Sequence, residues 1–404
     1  MTLRPVRSRG SKVRRAVWPV PLLTFSLVAA GLGVAHTSQA VPTDAVPART
    51  APLAASCVDT VFAAMSGPQR VGQLFMGGVN AAKPDQKRIA VLRKYHVGAV
   101  FLAGRSKSGT KATKSLSDSL QAKADTAAGH RVGLLISTDQ EGGQVQVLSG
   151  PGFSTIPSGL TQGTWSTSKL RSQAAAWAKQ LKSAGVNLNL APVADVVPAS
   201  LGKNNAPIGR YDREYGHTAA TVAPHSTAFA EGFAQAGVLA TLKHFPGLGY
   251  VRGNTDTTAN VVDSQTTRTS ASIAPFRAGI KAGAPFVMIS SATYSKIDPK
   301  HRAAFSPTVI QEMLRKTLGF TGVVISDDLG NAVAVKSVAP ADRAVKFLSA
   351  GGDQVLTVEP NLVPAMAKAV QARMATDTAF RTKVDKSVHR ILTAKHKAGV
   401  LRCG

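Results

Sequence analysis

One alternation constrains this chain more than any other feature. Short apolar runs rich in β-branched residues recur along it, each closed by Gly, Asp, Pro or Ser. They are VGQLFMGG from Val71, VGAVFLAG from Val97, VGLLISTD from Val132 and VNLNLAPVAD from Val186, then GVLATLKHF from Gly237, PFVMISSA from Pro285, GVVISDD from Gly322 and DQVLTVE from Asp353. Most are separated by stretches of helical period, such as residues 168–185 and residues 306–320. The second of these opens with Ser306-Pro307, a serine N-cap followed by proline at the first helical position. Strands alternating with helices imply a parallel sheet. Eight such units imply an α/β fold of (β/α)8 barrel type in one catalytic domain. An open doubly wound sheet is the competing arrangement, but no phosphate-binding glycine fingerprint follows the first run.

The chain start reads differently. Arg4, Arg7, Arg9, Lys12, Arg14 and Arg15 precede an apolar run from Ala16 to Ala35, and small residues Ser38 and Ala40 follow at signal-peptidase spacing. Residues 1–40 therefore read as a secretory signal peptide. Pro19 and Pro21 make a poor permanent membrane anchor, and Arg14-Arg15 gives only a loose match to a twin-arginine signal. Residues 41–56, rich in Pro, Ala and small polar residues, read as a flexible linker, and residues 57–404 as the barrel domain. No later segment is apolar enough over a sufficient length to span a membrane, so a secreted or wall-associated protein is expected.

Charge and cysteine usage agree with export. Removing the six basic residues of the signal leaves 42 Lys+Arg against 22 Asp+Glu, a balance of +20. That balance suits an anionic cell wall, although a merely solubilised surface explains it as well. Nucleic acid is not indicated, because no recognition motif accompanies the charge. The two cysteines, Cys57 and Cys403, flank the barrel region and are expected to pair in an oxidising compartment. A lipid-modified Cys57 is the weaker alternative, because the apolar run ends more than twenty residues earlier.

A barrel carries its active site at the C-terminal ends of its strands. The polar residues there are Asp139, Glu141, Asp195, Lys243, His244, Ser290, Ser291, Asp327, Asp328 and Glu359. A rim so rich in carboxylates suits sugar chemistry, in which carboxylates bind hydroxyls and stabilise an oxocarbenium-like transition state.

Four strand-end motifs occur in order: TDQEGGQVQ (138–146), NLNLAPVADV (187–196), KHFPGLG (243–249) and GVVISDDL (322–329). Together they resemble family 3 glycoside hydrolases of the single-domain β-N-acetylglucosaminidase type, over essentially all of residues 60–400. The resemblance implies a retaining exo-enzyme acting on N-acetylglucosamine-containing glycans, in peptidoglycan fragments or chitin oligosaccharides, with no metal or organic cofactor. It assigns Asp327 as the nucleophile, Asp139 as an acceptor from sugar hydroxyls, and Lys243 with His244 as the pair that grips the sugar. Arg213 is the candidate substrate-binding arginine, with Arg210 as the fallback. Asp328 is read as structural, its side chain turned away as the next residue along the strand. Asp195 and Glu141 are read as supports for the residues that touch substrate.

Two departures from the family pattern stand out. Arginines usually follow DQEGG, whereas Gln144 and Val147 occupy those places here. An Asp-x-His dyad usually follows KHFPG and supplies the acid/base histidine. Here the corresponding residues are Asn254-Thr255-Asp256, and no histidine lies between His244 and His301. Asp256 is the candidate replacement, because a carboxylic acid of raised pKa is the common general acid for glycosides. An anionic aspartate would repel an incoming phosphate, which favours water as the acceptor. Two other readings stand beside this one: a β-glucosidase or β-xylosidase-like exo-enzyme, and a non-catalytic wall-glycan binder retaining Asp139, Lys243 and His244.

Overall fold

A computed structural model describes residues 56–403 of the chain. The expected signal peptide, and all of the expected linker except Ser56, lie outside the described residues. Eight strands form one sheet: β1 (Phe75–Asn80), β2 (Ala99–Ala103), β3 (Leu135–Thr138), β4 (Leu188–Asn189), β5 (Leu239–Phe245), β6 (Phe286–Ile289), β7 (Val323–Ser326) and β8 (Val355–Thr357). Neighbours in sequence are neighbours in the sheet, every pair is parallel, and β1 also pairs with β8. A parallel bridge between Ile325 and Gln354 joins β7 to β8 and closes the barrel. The open-sheet alternative is thereby excluded.

The strands form where the apolar runs lie, with trimmed edges. Val71 to Gln73 belong to the preceding helix, Gly67–Gln73, because Ser66 and Gln69 form a capping box ahead of it. Val132 pairs in a separate hairpin with Asp125 rather than in β3. The fourth run contributes only Leu188 and Asn189 to the ladder before Ala191 and Pro192 interrupt it. Pro192 has no N–H to donate, so pairing resumes through a single bridge from Val193 to Lys243.

Helices clad the barrel with their apolar stripes inward. In Thr167–Ser183, Leu170, Ala174, Trp177, Ala178 and Leu181 are buried at the spacing of one helix face, and Ser166 caps the start by accepting from Lys169 N. Burying each large side chain there is worth about 1.5–3 kcal/mol. The neighbouring helix Ala219–Gln235 approaches so closely that a Cβ on Gly232 would sit 2.4 Å from the carbonyl oxygen of Arg171. Ser306 does cap the expected helix, its Oγ accepting from Val309 N at 3.1 Å. That helix runs Thr308–Thr317 and winds more widely than an α-helix.

The strand starts are locked from below. Buried Asp353, just ahead of β8, accepts from Arg315, from Arg390 at 3.0 Å, from Ser387 Oγ at 2.8 Å and from Val324 N at 2.7 Å. The Cys57–Cys403 disulfide is formed and ties the first described helix to the chain end. Among the described residues, no helix is long and apolar enough to cross a membrane.

Candidate active site

The C-terminal strand ends surround a cavity of about 220 Å³. Asp139, Arg213, Lys243, His244, Asp256 and Asp327 all border it. Apolar side chains from strand ends, including Phe101, Leu190, Met288 and Leu356, complete its wall. Sequence reading did not single these out, although their place at the C-terminal ends of the runs is the signal that would have found them.

Each polar group is delivered by a local device. After β3, the hairpin formed by Gln140–Gly142 and Val145–Gln146 presents Asp139 and Glu141. Gly142 is required in this turn: its φ is +113°, and a Cβ there would lie 2.1 Å from the Pro157 carbonyl oxygen. Glu141 is buried between two cations. It accepts from Arg213 Nε at 2.8 Å and Nη2 at 2.7 Å, and its Oε1 lies 2.5 Å from Lys243 Nζ. Burial pushes this carboxyl up, but Arg213 and Lys243 overcome burial and hold it at about 2. Burial likewise pulls Lys243 down, and Asp139 and Glu141 outweigh it, so the amine is raised and stays charged.

Lys243 Nζ also donates to Asp139 Oδ1 at 2.6 Å. Asp195, fully buried, fixes His244: its Oδ2 accepts from the ring Nδ1 at 2.7 Å, and its Oδ1 accepts from the backbone N of His244 and of Leu248. A carboxylate can only accept, so Nδ1 carries the proton and Nε2 is the other ring edge. Arg213 reaches the cavity, held by Glu141 and by the Pro207 carbonyl at 2.8 Å. Arg210 is exposed and is not part of the wall.

The loop after β5 decides where Asp256 goes. Asn205 Nδ2 donates to the carbonyls of Leu248, Gly249 and Val251, pinning the start of the loop. Further on, Asn254 Oδ1 accepts from Asp256 N at 2.9 Å in a tight polar turn. Backbone bonds from Val333 N to Asp256 O (3.1 Å) and from Ala334 N to Thr255 O (3.0 Å) tie this turn to the segment following Asp327. The loop therefore folds towards the site. Asp256 stands solvent-exposed at the cavity mouth. Surrounding protein, and then the charge of Asp327, raise its carboxyl from the ordinary 3.8 to about 6. Access to water screens that shift, so its direction carries the argument.

Hydrogen-bond allocation separates these carboxylates into two kinds. Asp328 spends its oxygens on the backbone N–H groups of Gly330, Asn331 and Val358. It also borders the cavity, contrary to the expectation that it turns away, because β7 ends at Ser326 and strand alternation no longer applies. Asp327 gives only Oδ1 to the neighbouring Asp328 N, at 2.8 Å. Among the described residues, Oδ2 of Asp327 and both carboxyl oxygens of Asp256 have no hydrogen-bond partner. Glu359 lies apart from the cavity and pairs with Arg88 at 3.0 Å.

The description "Glycosyl hydrolase family 3 N terminal domain" matches residues 68–394. The chain belongs to glycosyl hydrolase family 3. A beta-hexosaminidase of Stenotrophomonas maltophilia strain K279a is 37% identical over 254 residues, 61% of this chain and 73% of that protein. The crystal structure of a beta-N-acetylhexosaminidase from Beutenbergia cavernae DSM 12333 superposes with a TM-score of 0.80 at 48% identity, covering 82% of this chain and 99% of that one. A family 3 beta-N-acetylglucosaminidase from Paenibacillus sp. FPU-7 superposes at 0.74 with 30% identity, covering 83% of this chain and 63% of that one.

Within this family 3 site, Gln144 is exposed on the hairpin and Val147 is buried beneath it. The hairpin is instead braced by Arg105, in the loop after β2, which donates to the carbonyls of Gln144 and Gln146. Among the described residues, no group of three or more His, Cys, Asp or Glu side chains is placed to hold a metal ion.

Proposed function

We propose that this family 3 glycoside hydrolase is an exported exo-β-N-acetylglucosaminidase that removes terminal β-linked N-acetylglucosamine with retention. Asp327 acts as nucleophile and Asp256 as acid/base. The observation that carries this reading is the allocation of hydrogen bonds: of the cavity carboxylates with a free oxygen, Asp139 is held by the Lys243 ammonium, whereas Asp327 and Asp256 are bound by no cationic side chain among the described residues. The similarity to hexosaminidases at up to 48% identity supports the sugar.

The geometry supports the following chemistry. Asp139 Oδ2, left free by Lys243, accepts a sugar hydroxyl, and Lys243 and Arg213 supply donors on the same side. Asp327 Oδ2 attacks the anomeric carbon. The bond to the leaving oxygen breaks with its electron pair, and that oxygen takes the proton of Asp256. Asp256, now ionised, removes a proton from water, which displaces Asp327 and releases the free sugar. The raised pKa of Asp256 supplies the protonated form for the first step.

The positive charge supports work beside an anionic wall, where peptidoglycan fragments are the substrate. The test is incubation with diacetylchitobiose in phosphate buffer, together with trapping by an activated 2-fluoro glycoside. Two N-acetylglucosamine molecules of retained configuration and a label on Asp327 are expected. A sugar 1-phosphate would replace the hydrolase reading with a phosphorylase. Turnover of glucosides or xylosides in its place would change the sugar, and binding without turnover would leave a glycan-binding protein.

A further inference from the structure

A second concavity is lined by residues on either side of the Asp256 turn, and no step of the reaction above uses it. Among the described residues, Tyr250 and Val262 are the two large hydrophobic side chains left exposed, at 38% and 50%. Both line this one groove. Exposed apolar groups gathered in one place mark a binding surface more often than scattered ones do.

The groove is built from the same two loops as the cavity. After β4, the chain gives Pro198 and Leu201 to the groove and Pro207 to the cavity. After β5, it gives Tyr250, Arg252, Gly253 and Thr258 to the groove, and Asn254, Thr255 and Asp256 to the cavity. One turn therefore separates the two spaces and carries the proton donor. The walls are supported. Val262 belongs to a short strand paired with Thr293 and Tyr294, and Asp263 beside it accepts from Gln265 N at 2.7 Å and Thr266 N at 2.8 Å. Ala206 N donates to the Arg252 carbonyl at 3.3 Å, joining the β4 and β5 loops beside the groove.

We propose that this groove holds the leaving portion of the glycan, with Tyr250 as a stacking platform for a pyranose ring and Arg252 as a donor to its hydroxyls. The inference rests on the exo-glycosidase reading. The acid must face the departing oxygen, so the sugar beyond that oxygen lies on the Asp256 side of the cavity, and Gly253 and Thr258, which flank the Asp256 turn, line the groove. A pyranose presents an apolar C–H face and an equatorial rim of hydroxyls. The groove offers Tyr250 and Val262 for the face, and Arg252, Asn260 and Gln265 for the rim.

The test compares substrates that differ only beyond the cleaved bond. For the wild type and Tyr250→Ala, kcat/KM is measured on an aryl N-acetylglucosaminide and on tetra-N-acetylchitotetraose. The expected result is about a tenfold loss on the tetraose, equivalent to about 1.4 kcal/mol, with less than about a twofold change on the aryl glycoside. Arg252→Ala should follow the same pattern. An equal loss on both substrates, or none on the tetraose, overturns the proposal. A second arm measures calorimetric binding of the tetraose to Asp327→Asn, which separates the groove from catalysis. Adding Tyr250→Ala should weaken Kd about tenfold, and an unchanged Kd overturns the inference. If the wild type cleaves neither substrate, the exo-glycosidase reading fails first and this inference falls with it.

Discussion

Replacing Asp256 by Asn removes one ionisable proton while keeping the size of the side chain. With its pKa raised to about 6, Asp256 is mostly protonated at pH 5 and mostly ionised at pH 7. At the ordinary value of 3.8 it would be protonated well under 1% at pH 7. Turnover of diacetylchitobiose, whose leaving oxygen requires a proton, should therefore fall about tenfold from pH 5 to pH 7 on its alkaline limb. A nitrophenyl glycoside, whose leaving group departs as a stable anion, should lose this limb for the glycosylation step. Asp256→Asn should lower kcat/KM on diacetylchitobiose by about 10²–10⁴, the usual worth of a positioned acid, and affect the nitrophenyl glycoside far less. Azide, which needs no base, should then restore turnover of the nitrophenyl substrate and yield a glycosyl azide. Steady-state kinetics on the two substrates and mass analysis of the product provide the assay. Equal losses on both substrates with no azide product, or wild-type rates on diacetylchitobiose, would refute the assignment.

The same raised pKa has a consequence for stability, measured by scanning fluorimetry against pH. A carboxyl raised above its unfolded value costs stability once it is ionised, so the cost is present above about pH 6 and gone below about pH 3.8. Asp256→Asn should thus raise Tm at pH 7.5 by on the order of 1 °C, a small effect because the group is screened by water, and leave it unchanged at pH 3.5. Glu141→Gln leaves Lys243 and Arg213 without their shared buried anion; denaturant unfolding should show a loss of about 3–5 kcal/mol. Removing the bridge by Cys57→Ser with Cys403→Ser should cost about 2–5 kcal/mol by the same assay, with kcat on small substrates unchanged because the bridge ties the first described helix to the chain end, apart from the cavity-lining residues.

Much of the fold and of the site is legible in the sequence, for a physical reason. Parallel barrel strands are buried on both faces, so each appears as an unbroken apolar run, and its C-terminal end announces itself by the first acid or base after it. Asp139, Asp195, Lys243, His244 and Asp327 were readable in this way. What the sequence hid depends on backbone geometry beyond the strands. Val71 to Gln73 look like strand and are helix, because a capping box two residues upstream outweighs their β propensity. Asp328 was expected to face away by alternation, but the ladder had already ended. The groove at Tyr250 was invisible, because an exposed aromatic in a loop carries no periodic signal.

The loss of the family's histidine is best understood through charge. An imidazole is neutral without a proton, whereas an aspartate in its place adds an anion to a rim that already holds Asp139, Asp327 and Asp328. Burial and the charge of Asp327 raise the Asp256 carboxyl above its ordinary value and so favour its protonated form, the form the proposed first step uses. The accompanying Asn254 fits this arrangement, since its oxygen holds the Asp256 backbone N–H while adding no charge. An Asp at position 254 would instead press Asp256 towards a still higher pKa and slow its second role as a base. Asn254→Asp should therefore move the alkaline limb on diacetylchitobiose upward in pH, and lower the rate of the deglycosylation step read with a nitrophenyl substrate. A limb that stayed in place would show that Asp256 does not set it.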